Sequence, residues 1–327
     1  MRRRISLVGL LVVTGSLFGW RSWFWVDEGA LVSGIGGVGA PLVESPASID
    51  VQPASVGLPS EFRAVWGVSA SLRIVDPLSG RYDLSPDPFS LVGVSYGGAS
   101  YGVGVVVRRL LSSLVSDFRV YGTSLGVAMN LGSLVRVGVI GGAVWGFEQQ
   151  QTVLGYRGGA GILWQVAGSF TVGVSGEMMS PLVWKNTIYG EEVQESFPFR
   201  VRSGVAWKYE GGQVFFQIRY TDGEGLRFDR DGVVEKPEVS FLSSWDVYAG
   251  WRGKLPWRDI PVHCGVFSDQ LWTTPYPLRQ WAFAFGMVAM GKNVRITLTW
   301  VDSYLFSLVS RDVLPRERGM VDLTYRF

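Results

Sequence analysis

A glycine-spaced stretch, a lone histidine, an acidic loop and a set of arginines are the residues whose types could do chemistry. Gly34-Ile35-Gly36-Gly37-Val38-Gly39 matches the spacing that cradles a dinucleotide pyrophosphate. That use needs a strand before the glycines and a helix after them. Here an apolar leader-like stretch precedes them, and Pro41 and Pro46 follow. No cofactor is expected. His263 is the only histidine, so a histidine-based triad would have to use it, and a multi-histidine metal site cannot form. On the local alternation His263 faces inward and Cys264 outward. Cys264 is the only cysteine, which excludes an intramolecular disulfide and a thiolate cluster. Asp222, Glu224, Asp229 and Asp231 offer oxygen ligands in one loop. They lack the bidentate glutamate of a calcium loop, and Arg227 and Arg230 interrupt them, so they read as a solvated acidic loop. No catalytic residue and no metal ligand is assigned.

The elements that must position the remaining candidates are strands. The chain has 327 residues, 30 Lys+Arg, 28 Asp+Glu and a net charge of +2, a near-balance that gives no electrostatic case for nucleic acid. Its 43 Gly, 14 Trp, 12 Tyr and 18 Phe disfavour helices. Mean hydropathy is +0.20, yet past the N-terminus no apolar run is long enough for a spanning helix. Strands with one apolar face reconcile the two observations. Residues 1–28 read as an export signal, with Arg2, Arg3 and Arg4 before the apolar Ile5–Trp20; a retained membrane anchor is the alternative. No lipobox-type cysteine supports a lipoprotein. Residues 29–61 are rich in Gly, Pro, Ser and Ala and lack strand alternation. Residues 62–327 read as a transmembrane barrel.

The expected strands are Phe62–Val75, Phe89–Tyr96, Ser100–Leu111, Asp117–Asn130, Leu134–Phe147, Tyr156–Val166, Phe170–Met178, Phe197–Lys208, Gly212–Thr221, Ser244–Lys254, Asp259–Ser268, Gln280–Met290, Val294–Leu305 and Gly319–Phe327. Their connections alternate. Gly97-Gly98-Ala99, Leu131-Gly132-Ser133, Ala167-Gly168-Ser169, Glu210-Gly211, Leu255–Arg258 and Gly291-Lys292-Asn293 are short; the others are generally long. Short turns on one rim and long loops on the other define an all-β, antiparallel, up-and-down outer-membrane barrel of about fourteen strands. In Val294–Leu305, Val294, Ile296, Leu298 and Trp300 alternate with Arg295, Thr297 and Thr299, placing an apolar face on lipid and a polar face on the lumen. The terminal Val321, Leu323, Tyr325 and Phe327 alternate in the same way. That strand resembles the one by which the outer-membrane assembly machinery recognises its clients, the alternative being an ordinary edge strand.

A barrel of this size leaves a lumen that must be filled or must conduct. The small-residue segment before the first strand is available to fill it as a plug, and its Val38, Leu42, Val43, Ile49, Val51 and Val56 argue against a disordered tail. Arg200, Arg202, Lys208, Arg219, Arg252, Arg295 and Arg326 fall on inward faces with Glu177, Asp246, Asp302 and Asp322. They could tie the plug to the wall as an ion-pair network or meet a ligand carboxylate. Met178, Met179, Leu182, Val183, Trp184, Ile188 and Tyr189 are apolar for an external loop. They could form a groove for a hydrophobic ligand or pack over the barrel mouth. The candidate ligand residues are Met178, Met179, Leu182, Trp184, Ile188, Arg200, Arg202 and Arg219.

Gly34 to Ala40, then Glu44-Ser45-Pro46-Ala47-Ser48, then Gln52-Pro53-Ala54-Ser55 resembles the start of the FadL-like and PorV-like outer-membrane proteins. Those commonly carry Gly-Met-Gly-Gly-Ala, an acidic-small patch and Asn-Pro-Ala-Gly; Gln52 and Ser55 depart from the last. Gly159-Ala160-Gly161-Ile162-Leu163-Trp164 through Phe170–Ser175, then Ser180-Pro181, is similar to a hairpin of that family. The resemblance implies a fourteen-strand barrel with an N-terminal hatch that includes Gly34, Gly36, Gly37, Gln52, Pro53 and Ala54. It implies outer-membrane lipid as surroundings and passive uptake of hydrophobic small molecules such as long-chain fatty acids. In the PorV-like branch it implies a secretion or surface-attachment partner instead, and a purely structural barrel is the further alternative.

Overall fold

The computed structural model describes residues 24–25, 32, 38–41, 46–58, 61–76, 81–112, 119–148, 151–185, 192–197, 199–222, 227–230, 233–235, 244–255, 258–271, 278–302 and 318–327. Its strands are β1 (Phe24–Trp25), β2 (Phe62–Asp76), β3 (Arg81–Gly97), β4 (Tyr101–Ser112), β5 (Arg119–Leu131), β6 (Val135–Glu148), β7 (Gln151–Ala167), β8 (Phe170–Met179), β9 (Leu182–Lys185), β10 (Glu192–Ser196), β11 (Arg200–Tyr209), β12 (Gly212–Thr221), β13 (Arg227–Arg230), β14 (Val233–Glu235), β15 (Trp245–Leu255), β16 (Arg258–Leu271), β17 (Leu278–Met290), β18 (Val294–Asp302) and β19 (Arg318–Arg326).

Every neighbour pair is antiparallel. The order β4-β3-β2-β19-β18-β17-β16-β15-β12-β11-β8-β7-β6-β5 returns to β4 and closes a fourteen-stranded barrel. Closure gives every barrel strand a neighbour on both sides, which is what allows strands to cross a bilayer. Among the described residues no helix is long and apolar enough to cross.

Alternation decides which side of the wall each residue faces. On β18, Ile296, Leu298 and Trp300 are 37%, 41% and 43% exposed, while Thr297 and Thr299 are 2% and 5%. Val92, Val94, Tyr96, Val103, Val105 and Val107 repeat the pattern on β3 and β4. The apolar face points outward in a one-layer wall, the arrangement of an outer-membrane barrel.

The structure differs from the sequence reading at the long-loop rim. β3 starts at Arg81 and β7 at Gln151, earlier than expected, because the β2–β3 and β6–β7 ladders continue past the alternating region. Pro86 and Pro88 in β3 lack ladder donors and hide that strand from pattern reading. The stretches read as loops between β8 and β11 and between β12 and β15 carry a second sheet, ordered β14-β13-β10-β9. Glu224 and Asp231 of the acidic loop lie outside the described residues.

At the short-turn rim the wall is sealed around the C-terminus. Phe327 donates its backbone N–H to Phe62 O at 3.2 Å, and its ring sits 4.8 Å from that of Phe62 and 4.6 Å from that of Tyr325. Glu61 pairs with Arg63 and Arg326. One seam is weaker. The β3–β4 ladder runs from Gly97↔Gly102 only to Leu91↔Arg108. Beyond it β4 pairs Leu111 and Ser112 with Trp25 and Phe24, and Arg109 reaches Asp87 at 3.2 Å.

Candidate functional site: the N-terminal segment and the inner wall

Residues 38–41 and 46–57 are buried against the barrel's inner face. Proline sets the local shape: single 3-10 turns form at Pro46–Ser48 and Pro53–Ser55. Gln52 caps the second by accepting from Ala54 N–H at 3.3 Å. Its amide nitrogen lies 2.7 Å from Ala40 O, 3.2 Å from Ile162 O and 3.3 Å from Val174 O. Two amide hydrogens serve these acceptors, so Gln52 joins the segment to itself and to β7 and β8. The glutamine side chain is long enough to span that gap.

Other wall side chains satisfy the segment's backbone. Gln217 accepts from the N–H groups of Gly39 at 3.0 Å and Ala40 at 2.8 Å. Arg136 donates to Ala54 O at 2.9 Å and Val56 O at 2.6 Å. Ser175 donates to Val51 O. Irregular backbone at membrane depth is tolerated when the protein supplies such partners.

The wall makes room with glycines. A Cβ on Gly104 would stand 2.7 Å from Ile49; on Gly126, 2.8 Å from Val56; on Gly138, 2.7 Å from Ala54 N; on Gly161, 2.9 Å from Pro53; on Gly204, 3.0 Å from Pro41. The first four are separations real Cβ atoms essentially never show, and the last is tighter than nine in ten real Cβ contacts. Gly57, with φ +71°, turns the chain out beside Gly102.

A buried ionic network lies above this seat. Glu177 binds Arg157 at 2.7 Å, Arg202 at 2.8 Å and Arg200. Arg157 also binds Asp50 of the segment at 3.0 Å, and Arg108 binds Asp50 from the other side. Burial raises the Asp50 carboxyl, but Arg157 and Arg108 outweigh it and hold it below the usual carboxylate range. Arg219 forms a separate pair with Asp246 at 2.8 Å.

The sequence candidates are thus divided. Arg200 and Arg202 meet on Glu177, and Arg219 stands apart with Asp246. Met178 is 64% exposed on the outer face and Met179 is half-buried. Leu182 and Trp184 on β9 are buried, with Trp184 against Gly146 on the wall. Ile188, Gly34, Gly36 and Gly37 lie outside the described residues. Lys208 and Arg326 are exposed, the latter at the short-turn rim. Asp50, Arg108, Arg136, Arg157 and Gln217 were not singled out from the sequence. The available signal was a lone charged or amide side chain on an otherwise small inward face. Arg108 and Arg109 are also consecutive, and a register shift between Arg109 and Leu111 is what buries both.

On the opposite side, Val32 and Val38 pack on an apolar inner patch from β11 to β19 that includes Ala206, Phe215, Tyr248, Phe267, Ala282, Ala284, Val301 and Met320. Tyr248 and Phe267 stack at 6.0 Å and 6°. Arg219 lies over Tyr248 at 5.1 Å and Arg252 over Phe215 at 5.5 Å. His263 is buried nearby in the wall, its Nε2 2.8 Å from Thr299 Oγ1.

No protein-family profile matches the chain, and no curated protein is detectably similar to it in sequence. Solved structures are similar in fold. A Pseudomonas aeruginosa FadL homologue superposes with TM-score 0.67 at 10% identity, over 93% of this chain and 99% of that one. The P. putida toluene transporter TodX gives 0.65 at 12% identity, over 92% and 99%. The CymD monoaromatic hydrocarbon channel gives 0.64 at 13%, over 92% and 98%. The fold is therefore that of a FadL-like outer-membrane β-barrel.

Proposed function

We propose that this protein is a non-enzymatic outer-membrane channel for passive uptake of hydrophobic small molecules, with residues 29–61 as a lumenal plug and the preceding residues as an export signal. What supports the reading is the contact of Ala40 and Gln52–Val56 with Gln217, Arg136 and the glycines of the inner wall. A filled lumen does not serve free aqueous diffusion. An apolar solute instead gains from leaving water for an apolar path past the filling. The likeness to proteins titled as monoaromatic hydrocarbon channels, toluene transporters and a FadL homologue supports this class.

Two substrate shapes fit it. Long-chain fatty acids would use the Arg200 and Arg202 region for the carboxylate, and compact aromatic hydrocarbons would need no charge. Exit sideways is favoured at the β3–β4 seam, where the ladder stops at Leu91↔Arg108. The C-terminal strand ending in Phe327 is assigned to recognition by the assembly machinery. The test is saturable binding to detergent-purified protein of a labelled long-chain fatty acid and, separately, of labelled toluene, with Trp184→Ala beside wild type. Binding of either supports uptake. Absence of both, with co-purification of a large secreted or surface protein, replaces it with a secretion-partner role.

A further inference from the structure

β1 is two residues long and lies where the sequence reading expects an export signal. Its backbone pairs antiparallel with the end of β4, Phe24 opposite Ser112 and Trp25 opposite Leu111. Leu111 and Ser112 pair with β5 on one side, so β1 takes the other, which is the side β3 leaves. The β3–β4 ladder stops at Leu91↔Arg108. Beyond it β3 continues on β2, from Ser69↔Asp87 to Asp76↔Arg81, and β4 continues on β5 as far as Ser112↔Arg119. β1 thus joins the 15-stranded sheet on the vacated side of β4. Backbone N–H and C=O groups in a barrel wall need such a partner, because lipid offers none.

Both ends of the N-terminal segment therefore lie on one strand. β4 starts after the Gly97-Gly98-Ala99 turn at the short-turn rim, where Gly57 lies against Gly102, and it carries Trp25 at Leu111. Gly102 and Leu111 are nine residues apart on β4, about 30 Å along a strand. The hydrocarbon layer of a bilayer is also about 30 Å thick. Between these ends Val38 packs on the apolar patch, Asp50 meets Arg108 and Arg157, and Val56 meets Arg136. The segment threads the lumen from the long-loop rim to the short-turn rim, and long loops mark the outer side of such barrels.

We propose that the export signal is removed upstream of Phe24, that Phe24–Trp25 stays in the mature protein as a stave of the wall, and that the new chain end stands at the outer face of the membrane. The apolar Ile5–Trp20 stretch leaves Arg21-Ser22-Trp23 ahead of β1 for processing. A retained inner-membrane anchor does not fit. Trp20 is four residues from Phe24, a reach of at most about 14 Å, which would hold the apolar stretch at the outer rim, across the periplasm from the inner membrane. The consequence for the segment is mechanical. Paired into the wall at its start and continuous with β2 at its end, it bows within the lumen and does not leave as a free tail. The proposal stands apart from the uptake reading above and shortens the export signal given there.

The test uses the full-length protein expressed in a Gram-negative host and purified from the outer membrane. Intact-mass spectrometry is expected to give a chain that lacks Met1 and retains Phe24 and Trp25. A chain that starts after Phe24, or one that keeps Met1, overturns the proposal. On intact cells a membrane-impermeant amine reagent should label the terminal α-amino group to within twofold of its labelling after lysis. Labelling that appears only after lysis places the terminus in the periplasm and also overturns it. Cross-linking reads the strand itself. Consecutive antiparallel pairs alternate between Cα separations of about 5.5 Å and about 4.5 Å, both within disulfide reach. With Cys264→Ser, Phe24→Cys paired with Ser112→Cys and Trp25→Cys paired with Leu111→Cys are expected to bridge in most molecules, seen as a reducible change in the migration of heat-denatured protein. Trp25→Cys with Ala99→Cys, at the short-turn rim, should bridge at least tenfold less. Failure of both pairs in barrels that keep heat-modifiable migration removes β1 from the wall and overturns the proposal. Absence of toluene and fatty-acid binding in the unsubstituted protein would end the uptake reading and leave these three readouts unchanged.

Discussion

Asp50→Asn tests whether charge holds the N-terminal segment in the lumen. The Asp50 carboxylate stands between Arg108 and Arg157, at 3.0 Å from the latter, and is fully buried. Asparagine keeps the size and removes the charge, leaving two guanidinium groups facing a neutral amide. Breaking a buried pair from one side costs about 3–5 kcal/mol. Arg157 retains Glu177 at 2.7 Å, which places the expected cost near the lower end. About 3 kcal/mol is roughly a hundredfold shift in the equilibrium between seated and released segment. The assay is single-channel conductance in planar bilayers, paired with the rate of proteolysis before Phe62. Heat-modifiable migration checks that the barrel has formed. Asp50→Asn should raise the frequency of large openings and speed cleavage. Adding Arg108→Gln should reverse part of the effect, because the pair is then removed together. Unchanged conductance and cleavage in Asp50→Asn, with a folded barrel, would refute the claim that this ion pair seats the segment.

Four further outcomes are expected. Gly161→Leu should unseat the segment and raise conductance, since a Cβ there meets Pro53 at 2.9 Å, whereas Gly168→Leu, with nothing within 4 Å, should be silent in the same recording. Trp184→Ala should loosen the external sheet from Gly146 by about 3–5 kcal/mol, read as faster proteolysis within residues 182–196 and an unchanged barrel core. Because Asp50 is held below its ordinary value near 3.8, its stabilising contribution is complete above that pH and is lost as pH falls through the depressed value. Wild-type and Asp50→Asn conductance should therefore differ from neutral pH down to about 4 and converge only in stronger acid. Phe327→Ala should lower the yield of folded barrel in the outer membrane and slow refolding in detergent much less; equal losses in both would place the effect in the Phe62 contact alone.

The barrel was legible because its periodicity is two and its loops are sorted. Ile296, Leu298 and Trp300 against Thr297 and Thr299 reads the same way in sequence and in exposure. Legibility failed where the chain leaves that regime. β3 contains Pro86 and Pro88, which mask its first half; β9, β10, β13 and β14 are short strands, each too brief for alternation to register. Trp184 was visible as an apolar residue in an external stretch. Nothing local could show that it folds back onto Gly146.

The site was less legible for a reason intrinsic to barrels. Alternation reports which face a residue occupies, and nothing about what lies across the lumen from it. Arg200 and Arg202 could be assigned inward, but their meeting with Arg157 on Glu177 depends on the β7–β8 and β8–β11 registers. Asp50 reads as one acid in a run of small residues until the fold sets it between Arg108 and Arg157. Glycine is the sharper case. The chain has 43 of them, and inward ones differ in what lies against them. At Gly126, Gly138 and Gly161 the missing side chain admits another stretch of the same backbone. At Gly67 and Gly286 it makes room for the wall's own Leu91 and His263. Residue type and face are identical in the two groups. Only the pairing register separates a glycine that seats the segment from one that makes room for a neighbouring strand's side chain.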